Sequence, residues 1–385
     1  MTRESQRGSD TDTDTDADNG SGEQPEPRPV DWTDPDTFAQ ALEQVETKEK
    51  GNYFEDFAEG DLLEHDPGLT LTRWGNESWL SQTLNHDPAY WRADAAAERG
   101  FDEPPIHPDY LTAATLGITV EDLSEKGGYF LGRTDVRFPG TPVYAGTELH
   151  VESEVVSTAT SSSRPEFGIV TWRTRGTDAE TGDVLCSYER TNMIPRREPV
   201  ATDGGTATAE SDKEDDGPRL PETFVTPDGG YFEDFVAALE TAEGSDENAA
   251  VAYRHERGRT QDDVTVASLP LATLNTAKQH HNIDVMTDSP SGDIVTYGDV
   301  TRSTALGHAR SDEQTWREVG FDDEQFHTFV ATGDTVYAFT RVLSAEDDAS
   351  TDAAGTVRFE HIAFNQDDEP VYSGTRTAEI QKRTV

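Results

Sequence analysis

Apolar and polar positions alternate along Leu149 to Val156, Gly168 to Arg175 and Val184 to Met193. They do so again along Thr335 to Leu343, Thr356 to Phe364 and Pro370 to Ile380. A two-residue period rich in β-branched and aromatic side chains predicts strands that bury one face. Glu180-Thr181-Gly182-Asp183 and Asn365-Gln366-Asp367-Asp368 carry turn chemistry between consecutive strands, so each set reads as an antiparallel meander. A short β entry and two stretches of helical spacing precede each set, and Val300 to Ala309 is the last of these in the second half. Helices followed by a meander predict an α+β layout in which a sheet wraps over a helix.

The two sets belong to copies of one unit. Tyr53-Phe54-Glu55-Asp56-Phe57 recurs as Tyr231-Phe232-Glu233-Asp234-Phe235, 178 positions later. Thr83-Leu84-Asn85 recurs as Thr273-Leu274-Asn275 at an offset of 190, and Gly146-Thr147-Glu148-Leu149 is echoed by Gly333-Asp334-Thr335-Val336 at 187. Three matches in one order at nearly one offset place a first copy at 51–196 and a second at 230–385, with an acidic linker at 197–229. Residues 1–50 form an acidic lead. It is of low complexity and expected to be disordered to about residue 29, and Asp34-Pro35 then opens a short helix near 34–47 with Phe38, Leu42 and Val45 on one face.

Charge narrows the choice of partners. The 385 residues hold 77 Asp and Glu against 31 Lys and Arg, a formal net charge of −46, which would repel nucleic-acid phosphates over most of the surface. The acids are interleaved with aromatic and aliphatic residues in periodic runs, so the expectation is a folded, salt-adapted protein that loses structure at low salt. Cys186 is the single cysteine and reads as a small filler in a strand. No apolar leader or membrane-length run is present, so a soluble cytoplasmic protein with no membrane partner is expected.

The copies differ where chemistry would sit. Asn275 is followed by Thr276-Ala277-Lys278-Gln279-His280, whereas Asn85 is followed by His86-Asp87-Pro88-Ala89-Tyr90, so tyrosine stands where the second copy has histidine. The second copy is therefore the expected catalytic one. His280 can act as acid or base because its reference pKa is ~6.5. Asn275 cannot be a base, but its amide can orient water. Five residues on a regular helix turn through about 140°, so the two side chains converge only if the segment is irregular. Tyr297-Gly298 ends an apolar run and opens the helical stretch. Glycine allows close backbone approach and helix N-terminal amides favour negative charge, which makes this the candidate oxyanion site. Asp299 reads as a helix cap ahead of an acid–base group. His281 is expected to point away, and His86 and His107 lie off the motif. The other histidines show no metal-ligand spacing, and no phosphate loop or nucleophile elbow is visible.

These residues resemble the MaoC-like (R)-specific enoyl-CoA hydratases, in their tandem double hot dog form. A narrower likeness, to the branch that hydrates mesaconyl-CoA, rests on Gly51 to Phe57, Asn275 to Asn282 and Ile294 to Gly298, and the likeness covers about 51–196 and 230–383. The general motif has an aspartate, then Asn-Pro, then a histidine five residues after the aspartate. His280 matches the histidine, Asn275 takes the aspartate position and Ala277-Lys278 replaces Asn-Pro, a departure that favours the narrower branch. The resemblance implies a curved antiparallel sheet around a central helix in each unit, with the two units paired. It implies reversible hydration of mesaconyl-CoA to β-methylmalyl-CoA, within acetyl-CoA assimilation by the methylaspartate cycle. An acyl-CoA thioester is then the substrate, no metal or further cofactor is needed, and self-association into a homo-oligomer is expected. A broader (R)-specific enoyl-CoA hydratase or dehydratase, a thioesterase and a non-catalytic acyl-CoA-binding subunit are the alternatives. Local arginines must hold the CoA phosphates against the acidic field. Arg302, Arg310 and the cluster Arg254, Arg257 and Arg259 are the candidates. The free carboxylate of the acyl group calls for one further arginine, which the sequence does not identify.

Overall fold

The computed structural model describes residues 30–140, 142–199, 220–245 and 248–383. The expected disordered segment and most of the linker lie outside them. The described residues up to Glu49 and those from Lys50 onward form separate units. In the first, helix α1 (Pro35–Gln44) starts at Asp34, whose carboxylate accepts the Thr37 amide at 2.9 Å, and Phe38 and Leu42 are exposed.

The second unit contains both copies. The first copy supplies strands β1 (Leu62–Thr70), β2 (Tyr129–Arg137), β3 (Glu148–Thr160), β4 (Phe167–Asp178) and β5 (Val184–Pro195). Its helices are α2 (Arg73–Gln82), α3 (Ala93–Glu98), α4 (Pro108–Ile118) and α5 (Val120–Leu123). The second copy supplies β6 (Thr223–Val225), β7 (Ala249–Arg254), β8 (Arg259–Thr260), β9 (Thr315–Phe326), β10 (Thr335–Glu346), β11 (Ala354–Phe364) and β12 (Pro370–Gln381). Its helices are α6 (Phe232–Ser245), α7 (Asp263–Ala272), α8 (Ile283–Met286) and α9 (Gly298–Asp312). The strands run β1-β3-β4-β5-β2-β9-β12-β11-β10-β7-β6, so the two meanders form one continuous sheet joined by the antiparallel pair β2 and β9. Helices α4 and α9 are the buried centres of the two halves. Among the described residues no helix is long and apolar enough to cross a membrane.

The six meander strands fall where alternation predicts them. The joining strands β2 and β9 do not show that alternation. Each is interrupted by a glycine, Gly132 or Gly320, and by an aspartate of positive φ, Asp135 at 53° or Asp323 at 52°. Both glycines lie hard against the opposite strand. A Cβ on Gly132 would come 2.7 Å from the Glu324 carbonyl oxygen, and one on Gly320 2.6 Å from that of Val136.

Matching contacts relate the halves. A Cβ on Gly117 of α4 would meet the Thr273 carbonyl oxygen at 2.1 Å, and one on Gly307 of α9 would meet that of Thr83 at 1.9 Å. Each central helix therefore presses its backbone on the other half's Thr-Leu-Asn turn. The repeated pentapeptide is an anchor in both copies: Phe54 covers Gly168 and Phe232 covers Gly355, while Phe57 meets Trp172 and Phe235 meets Phe359 edge-on, each at 5.3 Å. The residues just after the pentapeptide decide whether a helix forms. The first ends at Asp56 as a single 3₁₀ turn, with Phe57 already extended, whereas Val236-Ala237-Ala238-Leu239 carries the second into α6.

Charges also join the halves. Arg133 on β2 pairs with Asp299 at 2.6 Å and Glu324 at 2.7 Å, and Arg302 bridges Glu324 to Asp109 on α4 at 2.9 Å. Arg310 continues from Asp109 at 2.5 Å to Glu318 at 2.8 Å, and Arg376 links Glu318 at 2.7 Å to Glu313. These side chains are all buried. Burial opposes the charge on Asp109 and Glu318, but the adjacent arginines outweigh it and hold both carboxyls below their ordinary values. Cys186 is a buried filler on β5, its thiol pushed up to about 12 by burial.

Candidate active site

Helix α7 ends in a Schellman-type turn, with the Asn275 amide donating to the Pro270 carbonyl at 3.0 Å. The left-handed residue that this turn needs is Leu274, at φ 62°, where glycine is usual. Leu84 repeats it at 60° in the first copy. Such a conformation costs on the order of 1–3 kcal/mol, and both copies keep it. The turn aims the following asparagine inward. Asn275 is 1 % exposed, and its Oδ1 accepts the Ala277 amide at 3.1 Å. A 3₁₀ turn, Lys278–His280, then brings His280 to the same cavity. The irregularity that convergence requires is thus supplied by a left-handed leucine and a 3₁₀ turn.

His280 is held at two points. Its Nδ1–H donates to the Val295 carbonyl at 2.8 Å, and the Val295 amide donates back to the Gln279 carbonyl at 2.9 Å. This fixes the tautomer and leaves Nε2 as the acceptor, with the Gln279 amide 3.4 Å away. Burial is the main reason the imidazole's pKa is lowered to about 4, with the Val295 hydrogen bond opposing and His281 adding to the shift. His280 is neutral at pH 7. His281 turns away and donates from Nε2 to the Thr276 carbonyl at 3.0 Å.

Residues 297–299 open α9. The Val300 and Thr301 amides are satisfied by the Tyr297 carbonyl at 2.8 and 3.2 Å, and no side chain caps the helix. Gly298 lines the cavity, and a Cβ there would lie 2.8 Å from the Phe326 ring. The Tyr297 hydroxyl donates to the Ala113 carbonyl of the other half at 3.1 Å, so Tyr297 contributes a fixed wall. Asp299 does not cap the helix, contrary to the sequence-based expectation. Its carboxylate is committed to Arg133.

A cavity of about 380 Å³ brings Asn275, His280, Tyr297 and Gly298 together with residues of the first half, among them Leu116, Tyr129, Phe130, Arg164, Arg190 and Asn192. Arg302 and Arg310 are not in its lining. Both are sealed in the buried ion chain, where a CoA phosphate would have to displace Asp109, so the expectation of CoA contacts there is corrected. Arg259 is also committed, to the Gln82 side chain at 2.8 Å, Asp262 at 3.0 Å and Thr265 at 2.8 Å. Sequence reasoning missed Arg164 and Arg190. Both lie in the half without the motif histidine, and no local signal marks them as lining a cavity.

A neutral imidazole whose Nε2 meets only the long 3.4 Å contact of the Gln279 amide shares one cavity with the Asn275 side chain and the first residue of α9. The fold is a double hot dog. A MaoC domain protein dehydratase from Chloroflexus aurantiacus superposes with a TM-score of 0.73 at 20% identity, over 88% of this chain and 100% of that one. A Mycobacterium tuberculosis protein described as having a double hot dog fold gives 0.65 at 20% identity, over 86% and 98%. Residues 31–382 match the family Mesaconyl-CoA hydratase, and the chain belongs to that family. It is 67% identical over 362 residues to the mesaconyl-CoA hydratase of Haloarcula marismortui, covering 92% of this chain and 99% of the relative. The β-methylmalyl-CoA dehydratase of Chloroflexus aurantiacus is 24% identical over 295 residues, covering 76% and 82%.

Proposed function

We propose that this protein is a hydro-lyase that reversibly adds water to mesaconyl-CoA, giving β-methylmalyl-CoA. The observation that carries the reading is the placement of His280, its Nδ1 fixed on Val295 and its Nε2 left as an acceptor met only at 3.4 Å by the Gln279 amide, in one cavity with Gly298. The family membership and the names of the relatives support the substrate.

In the forward direction His280 Nε2 takes a proton from a water whose oxygen bonds to the β-carbon. The Asn275 side-chain amide orients that water. The π electrons move to the thioester oxygen, and the amide at Gly298 donates to the developing enolate, aided by the partial positive charge at the start of α9. The enolate then takes the proton from His280 at the α-carbon, restoring the neutral imidazole. One water is consumed and no other reactant is needed. Arg164 is partly exposed, lies over the Tyr129 ring at 4.4 Å and forms no ion pair among the described residues, which suits it to a CoA phosphate.

The test is an assay in concentrated KCl, following loss of enoyl-thioester absorbance and the product mass. Gain of one water without free thiol supports the reading. Release of thiol, or crotonyl-CoA consumed far faster than mesaconyl-CoA, would replace it with a thioesterase or a broader hydratase.

A further inference from the structure

We propose that Arg190, in the half lacking the motif histidine, receives the free carboxylate of the acyl group and thereby selects a dicarboxylic acyl-CoA. This rests on the functional reading above. Arg190 is 1 % exposed and lines the cavity, yet its Nε and Nη2 have no hydrogen-bond partner and it forms no ion pair among the described residues. A buried cation without a counter-ion is costly, and structures neutralise such groups. Asn192, two residues on and on the same face of β5, also lines the cavity, and its buried Oδ1 is unpartnered.

The second half shows what satisfies this position. Ser187, Arg190, Thr191 and Ile194 of β5 recur as Ser373, Arg376, Thr377 and Ile380 of β12, all 186 positions apart. Arg190 lies over Trp172, its cross-strand partner on β4, at 5.3 Å, and Arg376 lies over Phe359, its partner on β11, at 5.4 Å. The arginines are equivalent in place but not in company. Arg376 is held by Glu318 and Glu313, whose carboxylates outweigh burial and keep its pKa above the ordinary value. The offset of 188 between the left-handed aspartates Asp135 and Asp323 puts Phe130 at the place of Glu318, and the helix offset of 190 puts Leu123 at the place of Glu313. The first half therefore has apolar side chains where the second has carboxylates, and Asp299, which also lines the cavity, is held by Arg133. Burial leaves Arg190 below its ordinary pKa.

In mesaconyl-CoA the free carboxylate is bonded to the carbon that receives water. An arginine gripping it would fix that carbon within reach of His280 and Asn275, so the half without the histidine would hold one end of the substrate and the other half perform the proton transfers.

The experiment compares Arg190→Met and Arg190→Lys with the unaltered protein, on mesaconyl-CoA and on tiglyl-CoA, in which a methyl group replaces the carboxylate. Tiglyl-CoA is followed by turnover or, if it is inert, by competitive inhibition. In Arg190→Met, kcat/KM for mesaconyl-CoA should fall by about 10²-fold or more. Tiglyl-CoA should be bound as well as before or better, and Arg190→Lys should recover part of the loss. The melting temperature of Arg190→Met should hold or rise, because an unpaired buried charge has gone, whereas a structural arginine would lower it. Equal loss on both thioesters, a lowered melting temperature, or mesaconyl-CoA turnover within about threefold of the unaltered protein would overturn the proposal alone. Unaltered protein inert toward mesaconyl-CoA would overturn the functional reading and this proposal with it.

Discussion

Asn85, Tyr90 and His107 in the first half stand 190 positions before Asn275, His280 and Tyr297 in the second. The two aromatic positions have exchanged residues, and the rings still meet, at 4.4 Å for Tyr90 with His107 and 5.5 Å for His280 with Tyr297. One exchange moves the imidazole from the cavity to the helix cap. His107 accepts the Asp109 amide on Nδ1 at 3.0 Å, and its Nε2 lies 3.0 Å from the Asn85 amide, so neither nitrogen is free. Pro108 stands where the other half has Gly298, which removes the amide hydrogen an oxyanion would need. The remaining charged position is closed by Glu318 and Glu313 on Arg376. A degenerate site has thus become a structural joint by losing its base position, its donor and its open cation. The contrast shows that a histidine near the right place is not sufficient.

The comparison can be broken at four points. His280→Tyr imposes the first half's residue on the second and should lower kcat by roughly 10³-fold or more, with the circular dichroism spectrum unchanged. Asp109→Ala leaves Arg302 and Arg310 buried with a missing partner and should cost about 3–5 kcal/mol in denaturant unfolding at fixed KCl. Gly298→Pro copies Pro108 and removes the amide hydrogen, and its kcat should fall about 10²–10³-fold below that of Gly298→Ala, which puts the same Cβ against Phe326 but keeps the amide hydrogen. A His280→Ala/Tyr90→His double variant should show no turnover above His280→Ala, because Pro108 and the neutralised Arg376 remain. Turnover regained there would refute the account of the first site.

The acid side sharpens the same contrast. Burial, the main cause in each, depresses His107 to about 3 and His280 and His308 to about 4. Unfolded histidine binds its proton near pH ~6.5. Between that value and about 4 the unfolded chain therefore holds more protons, and stability should fall as pH falls through this window, by up to about 1.4 kcal/mol per pH unit for each histidine. Meanwhile kcat/KM should keep its neutral value below pH 6.5 for as long as the protein is folded. An acid limb centred near 6.5 would mean that His280 is not held neutral by burial.

Parts of this were legible in the chain. The meander strands follow from local alternation, and α9 follows from the helical run after Gly298. The strands that join the halves were not legible. The charges they bury, Arg133, Glu318 and Glu324, look like surface residues until their partners are known. The convergence of Asn275 and His280 was legible only as a condition, because a left-handed leucine gives no compositional sign.

The sequence by itself determined the duplication, the half that keeps the motif histidine and the string from Asn275 to His280, because repetition and spacing are properties of the chain. Only the tertiary structure decided what each arginine does. Arg302 is neutralised by Asp109, 193 positions away, while Arg190 lines a cavity whose carboxylate, Asp299, is held by Arg133, and its Nε and Nη2 have no hydrogen-bond partner among the described residues. A side chain's charge is written in the sequence. Whether burial leaves that charge paired or open depends on residues that only folding brings beside it.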